Sequence, residues 1–325
     1  MGHGGKRRHG RGRPGGRPGP PVPAAFAAKI AAREGRAGRD WVDRLPGIVR
    51  GLLDRWSLEL DGAAWHGETA IVLPVRHAAG GSEAPRALKV RWLDPFTRDE
   101  GLALRAWNGL GAVRLYDEAP EAGALLLERL DPHRSLLDVP ETEAVDVAAG
   151  LLRRLAIPAP EGVRAIRTEV DEMAGELRRR RETAGWPSPD RLERLLGLAA
   201  ELGSTGQGLL VDADLHYENV LAATREPWLV IDPKVVAGDL EFGVAPLLWN
   251  RAGELGGPED LEARLARLVD GAKLDAERAR LWSIVRLVDV AVWSLSTGVG
   301  RHVDACRRLL DWLEWERLVP DRRSP

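Results

Sequence analysis

Three polar side chains, Asp214, Asn219 and Asp232, have the types and the spacing needed to move a phosphoryl group. They lie in Val211-Asp-Ala-Asp-Leu-His-Tyr-Glu-Asn-Val-Leu221 and in Trp228-Leu-Val-Ile-Asp-Pro-Lys234. A carboxylate at Asp214 can orient a hydroxyl and accept its proton, while Asn219 and Asp232 can hold Mg2+ against the phosphates of ATP. Aspartate and asparagine are also ordinary turn and capping residues, so residue type alone does not separate the two readings. The flanks do: Leu209-Leu210-Val211 and 228–231 both read as strands, which pins the loop to a sheet edge.

The elements that must carry this loop follow from the apolar pattern. An amphipathic helix is expected over 48–56, then strands over 69–75, 86–92, 113–116 and 124–128. His77-Ala-Ala-Gly-Gly-Ser-Glu-Ala-Pro85 joins the first two strands as a hairpin connection, and a helix over 98–110 separates the second from the third. From residue 131 onward helices dominate. Ser188 caps one whose first position is Pro189, and Leu192, Leu195, Leu196 and Ala199 keep its inner face apolar. Further helices are expected over 240–250, 258–269, 274–295 and 303–318. The fold class is therefore α+β in three parts: a basic tail and lead-in over 1–36, a small mixed-sheet lobe over 37–130, and a larger, mainly helical lobe over 131–325.

A chain of 325 residues exceeds what a single core usually serves, which agrees with two lobes. Its 44% hydrophobic and 30% charged residues are an ordinary soluble profile, and no apolar run approaches the ~20 residues that span a bilayer. The lone Cys306 excludes an internal disulfide and a multi-cysteine zinc site. With no secretory signal legible, a cytoplasmic location is expected, where ATP is available. The net charge of −2 hides an asymmetry: residues 1–22 carry six Lys/Arg and no acid, leaving 41 basic against 49 acidic residues elsewhere. That tail has too little apolar surface to order itself and no aromatic on which a base could stack. Nucleic acid is accordingly not an expected partner, and an acidic folded part suits a cationic small-molecule acceptor.

The loop, its strands and the lobe order together resemble the aminoglycoside phosphotransferases, in particular the branch of streptomycin 6-kinases and hydroxyurea phosphotransferases. That branch carries His-Gly-Asp-Leu-His-x-x-Asn-Val-Leu and Ile-Asp-Pro-Lys, matched here by Asp212-Ala-Asp-Leu-His-Tyr-Glu-Asn-Val-Leu221 and Ile231-Asp-Pro-Lys234. Trp56-Ser-Leu58, Ala87-Leu-Lys-Val90, Gly111-Ala-Val-Arg-Leu115 and Leu125-Leu-Leu-Glu-Arg-Leu130 match upstream. The resemblance implies a protein-kinase-like two-lobe fold and ATP- and Mg2+-dependent transfer to a hydroxyl of a small molecule such as streptomycin. Hydroxyurea or another metabolite is the alternative acceptor. Asp214 is then the catalytic base and Asn219 and Asp232 the magnesium ligands. Lys89 steadies the ATP phosphates, Glu100 orients Lys89, and Leu126, Leu127, Glu128, Arg129 and Leu130 offer backbone groups to adenine.

The chain departs from the branch at Asp212-Ala213, which stand where His-Gly is usual. The family's histidine buttresses the loop, so the departure implies a looser loop, and restoring His-Gly is expected to raise turnover. A catalytically weakened nucleotide-binding protein is the reading this opens. Composition supports one assignment independently: only Lys6, Lys29, Lys89, Lys234 and Lys273 are lysines among 47 Lys/Arg, so a lysine at mid-strand position 89 suggests a need for a compact charge. Lys234, just past the metal carboxylate, reads equally as a site charge or a surface one. His66-Gly-Glu-Thr69 reads as a plain turn, His216 as a loop hydrogen-bonding residue, and Glu218 as solvent-facing. Asp289 and Trp293, one turn apart on a helix, could receive a cation, although a structural pair with Arg286 explains Asp289 equally well.

Overall fold

The computed structural model describes residues 22–78, 84–94, 97–298 and 303–319. The expected basic tail over 1–21 and most of the turn between 78 and 84 lie outside these residues. The chain divides into two compact units, one of residues 1–92 with 121–124 and the other of 93–120 with 125–325.

The first unit begins with helix α1 (Ala24–Arg55), which buries Phe26, Ile30, Trp41, Leu45, Val49 and Leu52 along one side. It is two helical segments joined at Gly35, whose φ of +60° a side chain would resist. Gly38 completes the bend, because a Cβ there would lie 2.6 Å from the Ile30 carbonyl oxygen. The helix expected over 48–56 is thus the end of a much longer one, and residues 24–34 are helical rather than a disordered lead-in. Alanine and long charged side chains favour helix there, a signal that the glycine-rich tail obscures.

Strands β1 (Leu58–Leu60), β2 (Trp65–His66), β3 (Ala70–His77) and β4 (Arg86–Arg91) follow, all antiparallel, with β3 pairing each of the other three. The Gly67 N–H donates to the Ala70 carbonyl, so 66–69 is the plain turn expected. On β3, Ile71, Leu73 and Val75 are buried. Phe26, Trp41 and Trp92 stack edge to face at 6.0 and 5.7 Å, which seats α1 on this unit's core.

The second unit starts with α2 (Glu100–Trp107), β5 (Leu115–Ala119) and β6 (Ala124–Glu128). The sequence reading gives these elements to the small lobe; here they fall in the second unit, with the helices. Trp107 shows why: its indole Nε1–H donates to the buried Leu155 carbonyl at 2.8 Å, and Leu104, Val113 and Leu125 share one core with the following helices.

That core is built from α3 (Glu141–Leu155), α4 (Ile166–Ala184), α5 (Pro189–Ser204), β7 (Leu209–Asp212), β8 (Val220–Ala222), β9 (Trp228–Val230), β10 (Val235–Gly238), α6 (Ala245–Trp249), α7 (Pro258–Ala272), α8 (Ala276–Thr297), α9 (Val303–Trp312) and α10 (Trp315–Leu318). Ser188 caps α5 as expected, accepting from the Arg191 N–H. The helix expected over 240–250 is a 3-10 turn (Leu240–Gly243) followed by short α6. Helix α8 packs against α4, α5, α6, α7 and α9, so its apolar residues face several ways. Trp282, Ile284, Val285, Leu287, Val288, Ala291 and Val292 are all fully buried. No described helix is long and apolar enough to cross a membrane.

Candidate active site

Two short antiparallel pairs frame the loop in the second unit. β7 pairs with β10, setting Asp212 opposite Val235, and β8 pairs with β9, setting Val220 opposite Val230. Leu215 and Tyr217 are fully buried, and the Tyr217 hydroxyl donates to the Leu247 carbonyl at 3.0 Å. These two anchors fix the chain from 214 to 219 and leave the Asp214 side chain 24% exposed, open to a reactant. The 3-10 turn before α6 closes in behind β7, where a Cβ on Gly243 would lie 2.8 Å from the Asp212 carbonyl oxygen.

Asp214 is held from two sides. Its Oδ2 accepts from Lys234 Nζ at 2.7 Å, and its backbone N–H donates to Asp212 Oδ1 at 3.0 Å. Asp212 Oδ1 also accepts from the Lys234 N–H at 3.2 Å, and the Ala213 N–H donates to the Lys234 carbonyl at 2.7 Å. A closed ring of hydrogen bonds therefore joins the end of β7, Asp214 and the start of β10. Arg286 of α8 adds a further tie, donating to the Ala213 carbonyl at 3.0 Å while stacking over Phe242 at 4.4 Å. Asp214 Oδ1 has no hydrogen-bond partner among the described residues.

The electrostatics follow from this packing. Asp212 is 2% exposed, and burial pushes its carboxyl up to about 8 although the Asp214 and Lys234 N–H groups pull the other way. Its Oδ2 is buried without a partner, as suits a protonated acid more than a carboxylate. Burial works against the charge of Lys234, but Asp214, Asp232 and Asp212 together outweigh it and raise the lysine above its usual value.

Asn219 and Asp232 are tied to each other's neighbourhood by the Ile231 N–H, which donates to the Asn219 carbonyl at 2.8 Å. The Asn219 amide Nδ2 donates to the Asp214 carbonyl at 3.5 Å. Asp232 adopts a left-handed backbone, φ +52°, uncommon outside glycine. Among the described residues no three His, Cys, Asp or Glu side chains converge on one point. A hard cation that takes one or two protein oxygens and completes its shell with phosphates and water suits such a pair.

Of the remaining sequence candidates, Lys89 lies on β4 of the first unit, opposite Val72, and is 5% exposed, too deep for a solvated strand residue. Glu100 opens α2 in the second unit and is also buried, where an acid suits the helix N-terminus. Leu126 and Leu127 are buried on β6, and Arg129 and Leu130 follow the strand half-buried. The Glu128 N–H donates to the Arg114 carbonyl, and its carboxylate pairs with Arg225 at 2.9 Å. Glu218 is exposed as expected, and the His216 carbonyl accepts from the Asn219 N–H. Sequence reasoning named Arg286 only beside Asp289 and missed its tie to the Ala213 carbonyl.

The ion pair of Lys234 with Asp214 moves that lysine from the surface to the site. Lys234→Met is expected to lower turnover by roughly 10- to 100-fold, the weight of one charge-assisted hydrogen bond, while Lys234→Arg recovers part of it. Steady-state kinetics on both variants decides this, and an unchanged kcat in Lys234→Met would return the residue to the surface.

Residues 55–298 match the family model described as aminoglycoside/hydroxyurea antibiotic resistance kinase. A hydroxyurea phosphotransferase of Kitasatospora aureofaciens is 43% identical over 85% of this chain and 81% of its own length. A streptomycin 6-kinase of Streptomyces glaucescens is 38% identical over 85% of this chain and 92% of its own. Among solved structures, an aminoglycoside phosphotransferase in ternary complex with ADP and hygromycin B aligns with a TM-score of 0.55 at 17% identity. That alignment covers 82% of this chain and 97% of that one, a likeness of protein-kinase-like fold.

Proposed function

This chain belongs to the aminoglycoside/hydroxyurea antibiotic resistance kinases, and from that membership we propose that it transfers the γ-phosphoryl group of ATP to a hydroxyl of streptomycin or a similar aminoglycoside. The observation that carries the reading is the clamped Asp214. One carboxylate oxygen pairs with Lys234 and the other has no hydrogen-bond partner among the described residues, on a loop that β7, β10 and α8 tie by hydrogen bonds.

Phosphoryl transfer asks little covalent chemistry of the protein; it asks for position and charge. The acceptor hydroxyl approaches Asp214 Oδ1, which orients it and takes its proton as the oxygen attacks. Lys234 holds the carboxylate in place and sets a positive charge beside it. By the family's pattern Lys89 and Glu100 are assigned to the nucleotide phosphates, and residues 126–130 to adenine. Mg2+, when bound, screens the charge on the transferring group, and Asn219 and Asp232 are the residues that would hold it.

Streptomycin is taken as the acceptor with hydroxyurea as the alternative, since a relative named for each matches this chain. An assay of ATP consumption with streptomycin and with hydroxyurea, with product mass measured, tests the whole reading. A product heavier by one phosphoryl group supports it, and the absence of product with both acceptors would overturn it.

The metal assignment has its own test. Asp232→Ala is expected to weaken nucleotide binding tenfold or more in the presence of Mg2+, on the order of one charged ligand, and to leave metal-free nucleotide binding unchanged. Titrations with and without Mg2+ check this. Equal losses in both series would mark a folding defect instead.

A further inference from the structure

Arg286 is a half-buried arginine in a stretch of α8 where Val285, Leu287 and Val288 are fully buried. Its guanidinium lies 4.4 Å over the Phe242 ring and 5.9 Å over that of Trp249. Phe242 is itself fixed. It is buried, and it meets Trp282 edge to face at 5.0 Å, while the Trp282 indole N–H donates to buried Asp239 at 2.9 Å. A planar guanidinium on such a shelf has lost much of its freedom before it makes any hydrogen bond. Its one hydrogen bond among the described residues goes to the Ala213 carbonyl at 3.0 Å. Asp289, the partner weighed for it in the sequence, is half-buried three residues along α8. That acid feels the charges of Arg286 and Arg180, but no ion pair with Arg286 forms.

The atom that Arg286 holds belongs to the peptide unit between Ala213 and Asp214. The six atoms of a peptide unit lie close to one plane, with the C=O and N–H on opposite edges when the bond is trans. Both edges of this unit are held by side chains: Arg286 donates to its oxygen, and Asp212 Oδ1 accepts from its N–H at 3.0 Å. The preceding unit is tied as well, through the Ala213 N–H and the Lys234 carbonyl. A plane pinned at both edges cannot rotate about its Cα–Cα axis, and the Cα of Asp214 is one end of that axis. Of the hydrogen bonds to residues 212–214 among the described residues, the one from Arg286 alone comes from a helix.

We infer that Arg286 is a positioning residue of the transfer reaction: through the Ala213 carbonyl it sets the plane of the peptide that carries Asp214, and so the direction of the Asp214 carboxylate. The inference rests on the reading of Asp214 as the base and extends it to α8. An arginine that only packed α8 against Phe242 would matter for stability. One that sets the peptide plane matters for kcat, because a displacement of about 1 Å in a reacting group can cost on the order of 10²-fold in rate.

The test uses the full chain with Arg286→Met and Arg286→Lys, and two independent readouts. Hydrogen exchange over residues 213–219, without acceptor, reads the clamp directly. Steady-state transfer to streptomycin and to hydroxyurea reads its consequence. Arg286→Met keeps a long apolar stem over Phe242 but no donor. It is expected to speed exchange over 213–219 about tenfold or more and to lower kcat about ten- to a hundredfold, with the KM for ATP and the Tm little changed. Arg286→Lys keeps a donor without the planar face and is expected to recover part of both losses. Unchanged exchange over 213–219, or an unchanged kcat beside an active parent, would overturn the inference. So would a variant that loses ATP affinity and Tm together with kcat, since that marks packing of α8 alone. Should exchange rise as expected while the parent phosphorylates neither acceptor, the phosphotransferase reading fails and the clamp stands.

Discussion

Asp214→Asn is expected to keep the fold and the affinity for nucleotide while cutting turnover by ~10²–10⁴-fold, the usual weight of a positioned general base. The substitution is nearly isosteric, and the contacts that hold the loop are left in place. The backbone N–H of residue 214 still donates to Asp212, and an amide oxygen can still accept from Lys234. What disappears is the capacity to take a proton at Oδ1. Single-turnover kinetics with streptomycin, beside a nucleotide titration, separates chemistry from binding. Near-normal turnover would remove Asp214 from the role of base and leave it as a charge that positions Lys234.

The candidate loop was legible in the sequence because its pattern is local. Asp214 and Asn219 are five residues apart on one loop, and Asp232 ends an apolar run, so residue type and flanking strands sufficed to single them out. What could not be read is what strand register and helix packing bring in from afar. Lys234 lies twenty residues from Asp214, and only the antiparallel pairing of β10 with β7 lays its ammonium on that carboxylate. Nothing in its neighbours Ile231-Asp-Pro separates such a lysine from a surface one. Arg286 is farther still, and its bond to the Ala213 carbonyl depends on how α8 packs. The fold shows the same limit. Periodicity located β3, β4 and β6 to within about two residues and the capped start of α5, yet the Trp107–Leu155 contact joins segments that no local pattern links. Gly35 similarly hid the first half of α1, since a glycine after an arginine- and glycine-rich tail reads as more tail.

Asp212-Ala213 is where the hydrogen bonds reverse the sign of a sequence expectation. By resemblance, the pair implies a looser loop that His-Gly would repair. In the structure Asp212 is itself the buttress, with one oxygen accepting two backbone N–H groups that flank the site. A histidine ring nitrogen can replace at most one of these, and the ring is bulkier than the nearly fully buried carboxyl it would displace. An orphaned buried N–H costs about 1–3 kcal/mol and overpacking a similar amount, while Ala213→Gly loosens the backbone by roughly 0.5–1 kcal/mol more. Combined Asp212→His and Ala213→Gly is therefore expected to lose several kcal/mol of stability and to lower kcat. Asp212→Asn, which keeps the accepting oxygen, is expected to retain turnover, and its stability should carry a pH signature. The folded acid titrates near 8 and the unfolded one near 3.8, so between these values the folded state binds the extra proton. The parent's stability from this group is thus intact below about pH 4 and is lost progressively as pH rises to about 8. Asn carries no such proton, so the stability difference, Asp212→Asn minus parent, should grow with pH across that window. Denaturant unfolding of both proteins at pH 5 and pH 8 measures it. A pH-independent difference would show that Asp212 is an ordinary carboxylate, and a faster His-Gly variant would restore the family's histidine as the better support.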